Sequence, residues 1–210
     1  MRSVLVTAFE PFGGETVNAS WEAAKHLDGA SFGDAIVAAR MLPCAFELCL
    51  PEFVAAFERL KPSAVVMTGQ AARRGMVSVE RFALRSVSVT ARDNRGELGL
   101  SPASGPDVVE TTASATAVAH AIREAGVAAR VSTDAGDYVC NHLYYGALRY
   151  LSSQSPTTAA IFIHLPATPA QSAPKASDRR LDSANAARAL QAGVQALMRG
   201  TDGGRSISAV

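Results

Sequence analysis

The sequence predicts an α/β fold, a three-layer αβα sandwich with a mixed, mostly parallel central sheet. Three observations point there. Short β-branched runs alternate with longer helix-periodic runs along all 210 residues. Between Val77 and Thr90 the pattern changes to period two, which marks strands that pair partly antiparallel. No internal repeat or interdomain linker breaks the alternation. Residues 1–199 are therefore expected to form one domain, with the Gly/Ser-rich stretch 200–210 as a disordered tail.

The elements follow in order. Val4-Leu5-Val6-Thr7 reads as a buried strand, and Pro11-Phe12-Gly13-Gly14 as the turn that ends it. A helix starts near Asn18 or Ser20, both good N-caps, with Trp21, Ala24 and Leu27 on one face. Ile36 to Met41 is a second strand. Pro51 to Leu60 is a helix, with proline in its first turn and Phe53, Phe57 and Leu60 at helical spacing. Ala64-Val65-Val66-Met67 is a third strand, ending at Gly69. From Val77 to Thr90, one or two more exposed strands are expected. Asp93 to Gly96 and Pro102 to Pro106 are loops. Val108 to Ala125 reads as a helix stopped by Gly126, Val127 to Thr133 as a strand, and Asp137 to about Leu151 as a helix. Ala159 to Leu165 is another strand, and about Asp178 to Arg199 the last helix.

Composition excludes several functions. Twenty basic and nineteen acidic side chains nearly cancel, leaving a net charge of +1, which argues against a nucleic-acid binder working through phosphates. No apolar run approaches the roughly 20 residues of a membrane span. The N-terminus enters a strand-like run directly and shows no cleavage site, so a cytoplasmic protein is expected. Three cysteines do not make a disulfide framework. Cys44 and Cys49 lack a second Cys/His pair at zinc spacing, so no metal site is expected.

Four strand ends carry residues suited to chemistry, and strand carboxyl ends are where such sheets bind ligands. The first is Thr7-Ala8-Phe9-Glu10-Pro11-Phe12-Gly13-Gly14, a turn that either cradles a phosphate or, given its two phenylalanines, borders an apolar pocket. The second runs from Gly69-Gln70-Ala71 to Glu80-Arg81; a strand carboxylate beside an arginine is most often a surface ion pair. The third, Asp134 to His142, places Cys140 in the first turn of a helix, where unpaired N–H groups favour a thiolate and could receive an oxyanion. A buried cysteine is also a common core residue. The fourth, Ile161-Phe162-Ile163-His164-Leu165-Pro166, ends an apolar strand in a histidine where a base for Cys140 would be needed. His26, His120 and His142 read as structural or surface residues, and Cys49 as core.

Taken together, these segments resemble the pyroglutamyl peptidase I family of cysteine peptidases. The motifs that match are residues 7–14 with Asn18-Ala19-Ser20-Trp21-Glu22-Ala23, then Gly69-Gln70-Ala71 through Glu80-Arg81. They continue with Ala135-Gly136 through Cys140-Asn141-His142, and with Phe162 to Pro166 plus Pro169 and Gln171. The resemblance covers about residues 3 to 172. It implies a triad of Cys140 as nucleophile, His164 as base and Glu80 as the group orienting the imidazole. It also implies removal of N-terminal pyroglutamate from peptides without metal or cofactor, with the Cys140 N–H at the oxyanion. Phe9 and Phe12 match the positions that clamp the lactam. Asn18 and Gln70 match positions at its polar edge, and Tyr138 and Val139 the wall beside the nucleophile. A homo-oligomer, often a tetramer, is a further implication.

The chain also departs from the family pattern. The arginine thought to help at the oxyanion falls at Thr90, and Arg92, two residues on, is a candidate substitute. Asp137 stands where threonine is usual, as an expected N-cap whose charge would oppose a thiolate. Cys44 replaces a small polar pocket residue, Ala8 a glycine and Tyr138 a phenylalanine. Three other readings therefore stand beside the peptidase. One is a cysteine amidase of the same fold with shifted substrate preference, and one an attenuated relative that binds without turnover. The last is a phosphate or nucleoside binder resting on the Phe12-Gly13-Gly14 turn alone.

Overall fold

The computed structural model describes residues 2–88, 90–171 and 180–203. The first half of the chain contributes β1 (Arg2–Phe9), α1 (Ala19–Ala24), β2 (Ser31–Phe32), β3 (Ala35–Leu42), α2 (Phe46–Leu60) and β4 (Ala64–Gln70). Then come β5 (Val77–Glu80), β6 (Phe82–Leu84), β7 (Val108–Glu110), α3 (Ala115–Glu124) and β8 (Ala129–Ser132). The chain finishes with α4 (Val139–Gln154), β9 (Ala159–Leu165) and α5 (Ser183–Gly203).

Seven strands form one sheet in the order β2-β3-β1-β4-β9-β5-β8. Strands β3, β1, β4 and β9 run parallel, while β5 pairs antiparallel with β9 and parallel with β8. The sheet is thus mixed and mostly parallel, as the sequence predicts. Alternation along each strand sorts side chains to opposite faces. Val77, Val79, Ile161, Ile163 and Leu165 pack with α1, α3 and α5 on one face. Leu5, Phe9, Met67, Ala160 and Phe162 pack with α2 and α4 on the other.

Several boundaries differ from expectation, each for a physical reason. Helix α2 starts at Phe46, five residues before Pro51, which lies inside it. Its first turn is capped from a distance: Asp93 Oδ2 accepts from the Phe46 N–H at 2.8 Å, a contact no local pattern announces. Val108 to Glu110, expected as helix, is strand β7, which pairs with β6 in a separate small sheet. Helix α3 starts only after Ser114, whose hydroxyl accepts from the Ala117 N–H at 3.2 Å. Strand β5, expected to be exposed, is buried throughout because β9 and β8 flank it. Helix α4 begins at Val139 rather than Asp137; its N-cap is Tyr138 and it has no side-chain capping bond. The α5 backbone continues past Arg199 to Gly203. Val89, the expected helix start at Asp178 and residues 204–210 of the expected tail lie outside the described residues.

Candidate active site

Strand register assembles the site. Gly69 on β4 faces His164 on β9, and Ser78 on β5 faces the same histidine from the other side. Glu80 is one pair further along β5, opposite Phe162, so its side chain is the diagonal neighbour of His164 on the same sheet face. A long carboxylate reaches across that diagonal: Glu80 Oε1 lies 2.8 Å from His164 Nδ1. Both residues are buried. The surface ion pair that isolated sequence suggests for Glu80 and Arg81 does not form. Arg81 turns outward to Glu110, with Nε 2.8 Å from Oε1, and Arg74 is the cation that donates to Glu80 Oε1.

Cys140 is the second residue of α4. The backbone N–H groups of a helix's first turn have no intrahelical acceptor, and the N-cap Tyr138 offers them no side-chain bond. They remain available to an oxyanion beside the sulfur. The sulfur is seated by Gly69: a Cβ at that glycine would lie 2.7 Å from Cys140 Sγ and 3.1 Å from the Phe162 ring. Bare backbone on β4 is what lets the thiol approach the sheet. Asn141 fixes the helix from the other side. Its Oδ1 accepts from the Leu84 N–H at 2.8 Å, and its Nδ2 donates to the carbonyls of Leu84 and Ser86 at 2.8 and 2.9 Å.

Burial favours the neutral form of both groups. Burial pushes the Cys140 thiol well above its ordinary range, reinforced by Cys44, Cys49 and Glu80 and opposed by Arg74. Burial likewise pulls His164 below the usual 6.5, partly offset by its hydrogen bond to Glu80. The thiolate expected from the helix N-terminus alone is therefore outweighed by desolvation.

A cavity of about 380 Å³ opens over these groups, lined by Phe9, Phe12, Asn18, Cys44, Gln70 and Tyr138 beside Cys140 and His164. Most of the residues expected to bind substrate thus meet there. Phe12 and Tyr138 sit at 6.1 Å between ring centroids, and the Tyr138 hydroxyl donates to the Arg92 carbonyl at 3.0 Å. Gln70 spends its Oε1 on the Ala19 N–H at 2.8 Å, while its Nε2 has no hydrogen bond among the described residues. Asn18 is largely occupied as the α1 cap: Oδ1 accepts from the Ser20 N–H and hydroxyl, and Nδ2 donates to the Glu10 carbonyl at 2.9 Å. The Cys44 thiol is pushed up to about 12 by burial, so it is an inert wall at neutral pH.

Other residues lie elsewhere. Val139 packs into the α2/α4 core rather than the cavity. Arg92 donates to the Gly96 carbonyl at 2.6 Å and borders a separate groove with Phe46, Leu100 and His142, while Thr90 is exposed. The charged residues at the cavity are instead Arg73, Arg74 and Asp137. Gly69, Arg74 and Asn141 make contacts at this site that their local sequence does not signal. Among the described residues no group of His, Cys, Asp and Glu is placed to hold a metal.

A family profile described as pyroglutamyl peptidase matches residues 2–200. The chain belongs to the pyroglutamyl peptidase family. The pyrrolidone-carboxylate peptidase of Escherichia fergusonii is 44% identical over 177 residues, covering 82% of each chain. That of Klebsiella pneumoniae is 39% identical, covering 95% of this chain and 94% of the relative. Among solved structures, pyroglutamyl peptidase I of Bacillus amyloliquefaciens superposes with a TM-score of 0.88 at 35% identity, covering 94% of this chain and 98% of that one. The pyrrolidone carboxyl peptidase of Thermococcus litoralis reaches 0.90 at 28% identity, covering 98% and 97%. The match to this pyroglutamyl peptidase family member thus spans most of the αβα sandwich, from β1 to the last helix.

Proposed function

We propose that the chain is a cysteine exopeptidase that hydrolyses N-terminal pyroglutamate from peptides through a thioacyl-enzyme. The observation that carries this reading is the 2.8 Å contact between Glu80 and His164 Nδ1 in a cavity shared with Cys140. Because Glu80 engages Nδ1, Nε2 is the ring nitrogen left to accept the thiol proton. The pair rests neutral, so the proton moves when substrate is seated. Cys140 Sγ attacks the carbonyl following the lactam, His164 takes the thiol proton, and Glu80 stabilises the resulting imidazolium. The oxyanion meets the open N–H groups at the start of α4, the Cys140 N–H among them. His164 then returns the proton to the leaving amine. Water, deprotonated by the same imidazole, releases free pyroglutamate and restores the thiol.

The cavity suits a flat, neutral ring. Phe9, Phe12 and Tyr138 offer apolar faces, and the free Gln70 Nε2 can donate to the lactam carbonyl. The Asn18 amide, occupied by its capping bonds, holds the wall in place. Arg92 has no role in this scheme, since its guanidinium is engaged with Gly96. The chemistry uses no metal or cofactor. Three free thiols suit a reducing cytoplasm, and no helix among the described residues is long and apolar enough to cross a membrane. A homo-oligomer, a tetramer by family resemblance, is part of the same reading and is checked by light scattering.

The deciding assay is hydrolysis of a pyroglutamyl-fluorophore amide by wild type and Cys140→Ser. Turnover by wild type, nearly abolished in the variant, supports the peptidase. Absence of turnover by wild type, with saturable binding of free pyroglutamate, would favour an attenuated binding relative.

A further inference from the structure

The scheme above gives tasks to Glu80 and His164 but none to the cation beside them. Arg74 lies in the turn between β4 and β5. Its Nη1 donates to Glu80 Oε1, the same oxygen that faces His164 Nδ1. Its Nη2 donates to the Asp134 carbonyl at 2.6 Å, in the loop that leads to Cys140. One planar guanidinium thus grips the orienting carboxylate and the approach to the nucleophile at once, a task for which a rigid fork of donors is suited. Glu80 Oε2 is buried with no hydrogen-bond partner among the described residues, so every bond that aims this carboxylate passes through Oε1.

We propose that Arg74 is a positioning residue of the triad, which aims Glu80 at His164 and tethers the loop before Cys140. The proposal rests on the Cys140–His164 reading of the site. The electrostatic argument follows from the groups that face the histidine. Glu80 on β5 and Asp134 after β8 favour the imidazolium; Arg74 disfavours it, and burial disfavours it most. The neighbouring thiols are Cys140 on α4 with Cys44 and Cys49 behind it, and Arg74 eases the ionisation of Cys140. By sharing Oε1, the guanidinium also takes up part of the carboxylate's pull on the imidazole proton. Removing the cation therefore raises the proton affinity of His164, and the imidazole becomes protonated at higher pH.

The test follows the rate of Cys140 alkylation by iodoacetamide against pH, in wild type, Arg74→Met and Arg74→Lys, with melting temperatures alongside. This readout needs no peptide, so failure of Arg74's role and failure of the pyroglutamyl reading are separate results. In Arg74→Met the acid limb should move up by about half a pH unit or more. On the pyroglutamyl amide its kcat should fall by about 10-fold or more, with KM within about 2-fold. Arg74→Lys, which keeps the charge but loses the fork, should restore the limb and only part of kcat. An unmoved limb in a folded Arg74→Met protein overturns the proposal, as does an equal shift in Arg74→Lys. Should Arg74→Met fail to melt cooperatively, Arg74→Gln is read in the same way: ring ¹⁵N spectra of His164 that turn to imidazolium at higher pH than in wild type support the proposal, and an unmoved titration overturns it.

Discussion

Strand β9 has two faces, and they perform different work. Ile161, Ile163 and Leu165 point into a core built of aliphatic side chains from α1, α3 and α5. Phe162 and His164 point the other way, toward α4, where Ser78, Glu80 and Cys140 gather. Each face has a glycine that lets a helix or strand come close. Gly69 makes room for Cys140 Sγ, whereas a Cβ at Gly193 would lie 2.8 Å from Ile163 Cδ1. On the first face the neighbour is the Cys140 sulfur, the proposed reacting atom; on the second it is the free end of a flexible side chain. Equal crowding should therefore be costly to turnover on one face and nearly harmless on the other.

Substitutions can break that comparison. The largest effect belongs to Cys140→Ser, which should lower turnover of the pyroglutamyl amide by about three orders of magnitude or more while the melting temperature holds. Gly69→Ala comes next. Displacing the sulfur should cost about 100-fold in kcat, and Gly193→Ala, measured in parallel, should leave kcat unchanged. Comparable losses from the two alanines would show that both faces are simply packed core. Ile163→Ala reverses the pattern, with about 2–5 kcal/mol lost in denaturant unfolding and kcat within a factor of two or so of wild type.

The pH profile sharpens the contrast without a substitution. Because burial holds His164 below 6.5, the base stays neutral as pH falls toward that value, and the acid limb of kcat/KM should lie below pH 6.5. A limb at or above pH 7 would mean that the carboxylate, rather than burial, governs the imidazole. The smallest effect is far from the chemistry: Asp93→Ala removes the cap of α2 and should cost about 1 kcal/mol of stability.

The same two faces explain what was legible in the sequence. Strands such as β1 and β9 are continuous apolar runs, and the histidine that ends one of them could be read directly. The cysteine after a turn and the paired phenylalanines stand out locally, whereas Glu80 reads locally as a surface ion pair and gains its place beside His164 only through the family resemblance. Gly69 could be seen as a strand end but not as the seat of a sulfur, since Cys140 is far along the chain. Arg74 was hidden because Arg81 is the sequence neighbour of Glu80, whereas the fold brings the earlier arginine to the carboxylate. The start of α2 was missed for a related reason. Pro51 resembles a first-turn proline, and the true cap, Asp93, comes from a loop more than forty residues away. The strand at Val108 was lost in a run of helix-compatible residues whose real start is marked by Ser114.

Asn141 has a practical consequence. It follows Cys140 directly, and its three bonds reach the backbone of Leu84 and Ser86. The Leu84 amide proton is therefore a reporter located outside the pocket but wired to its most sensitive part. Its exchange with deuterium should slow or quicken with any event that loosens the first turn of α4, giving a signal of active-site integrity that needs neither substrate nor label.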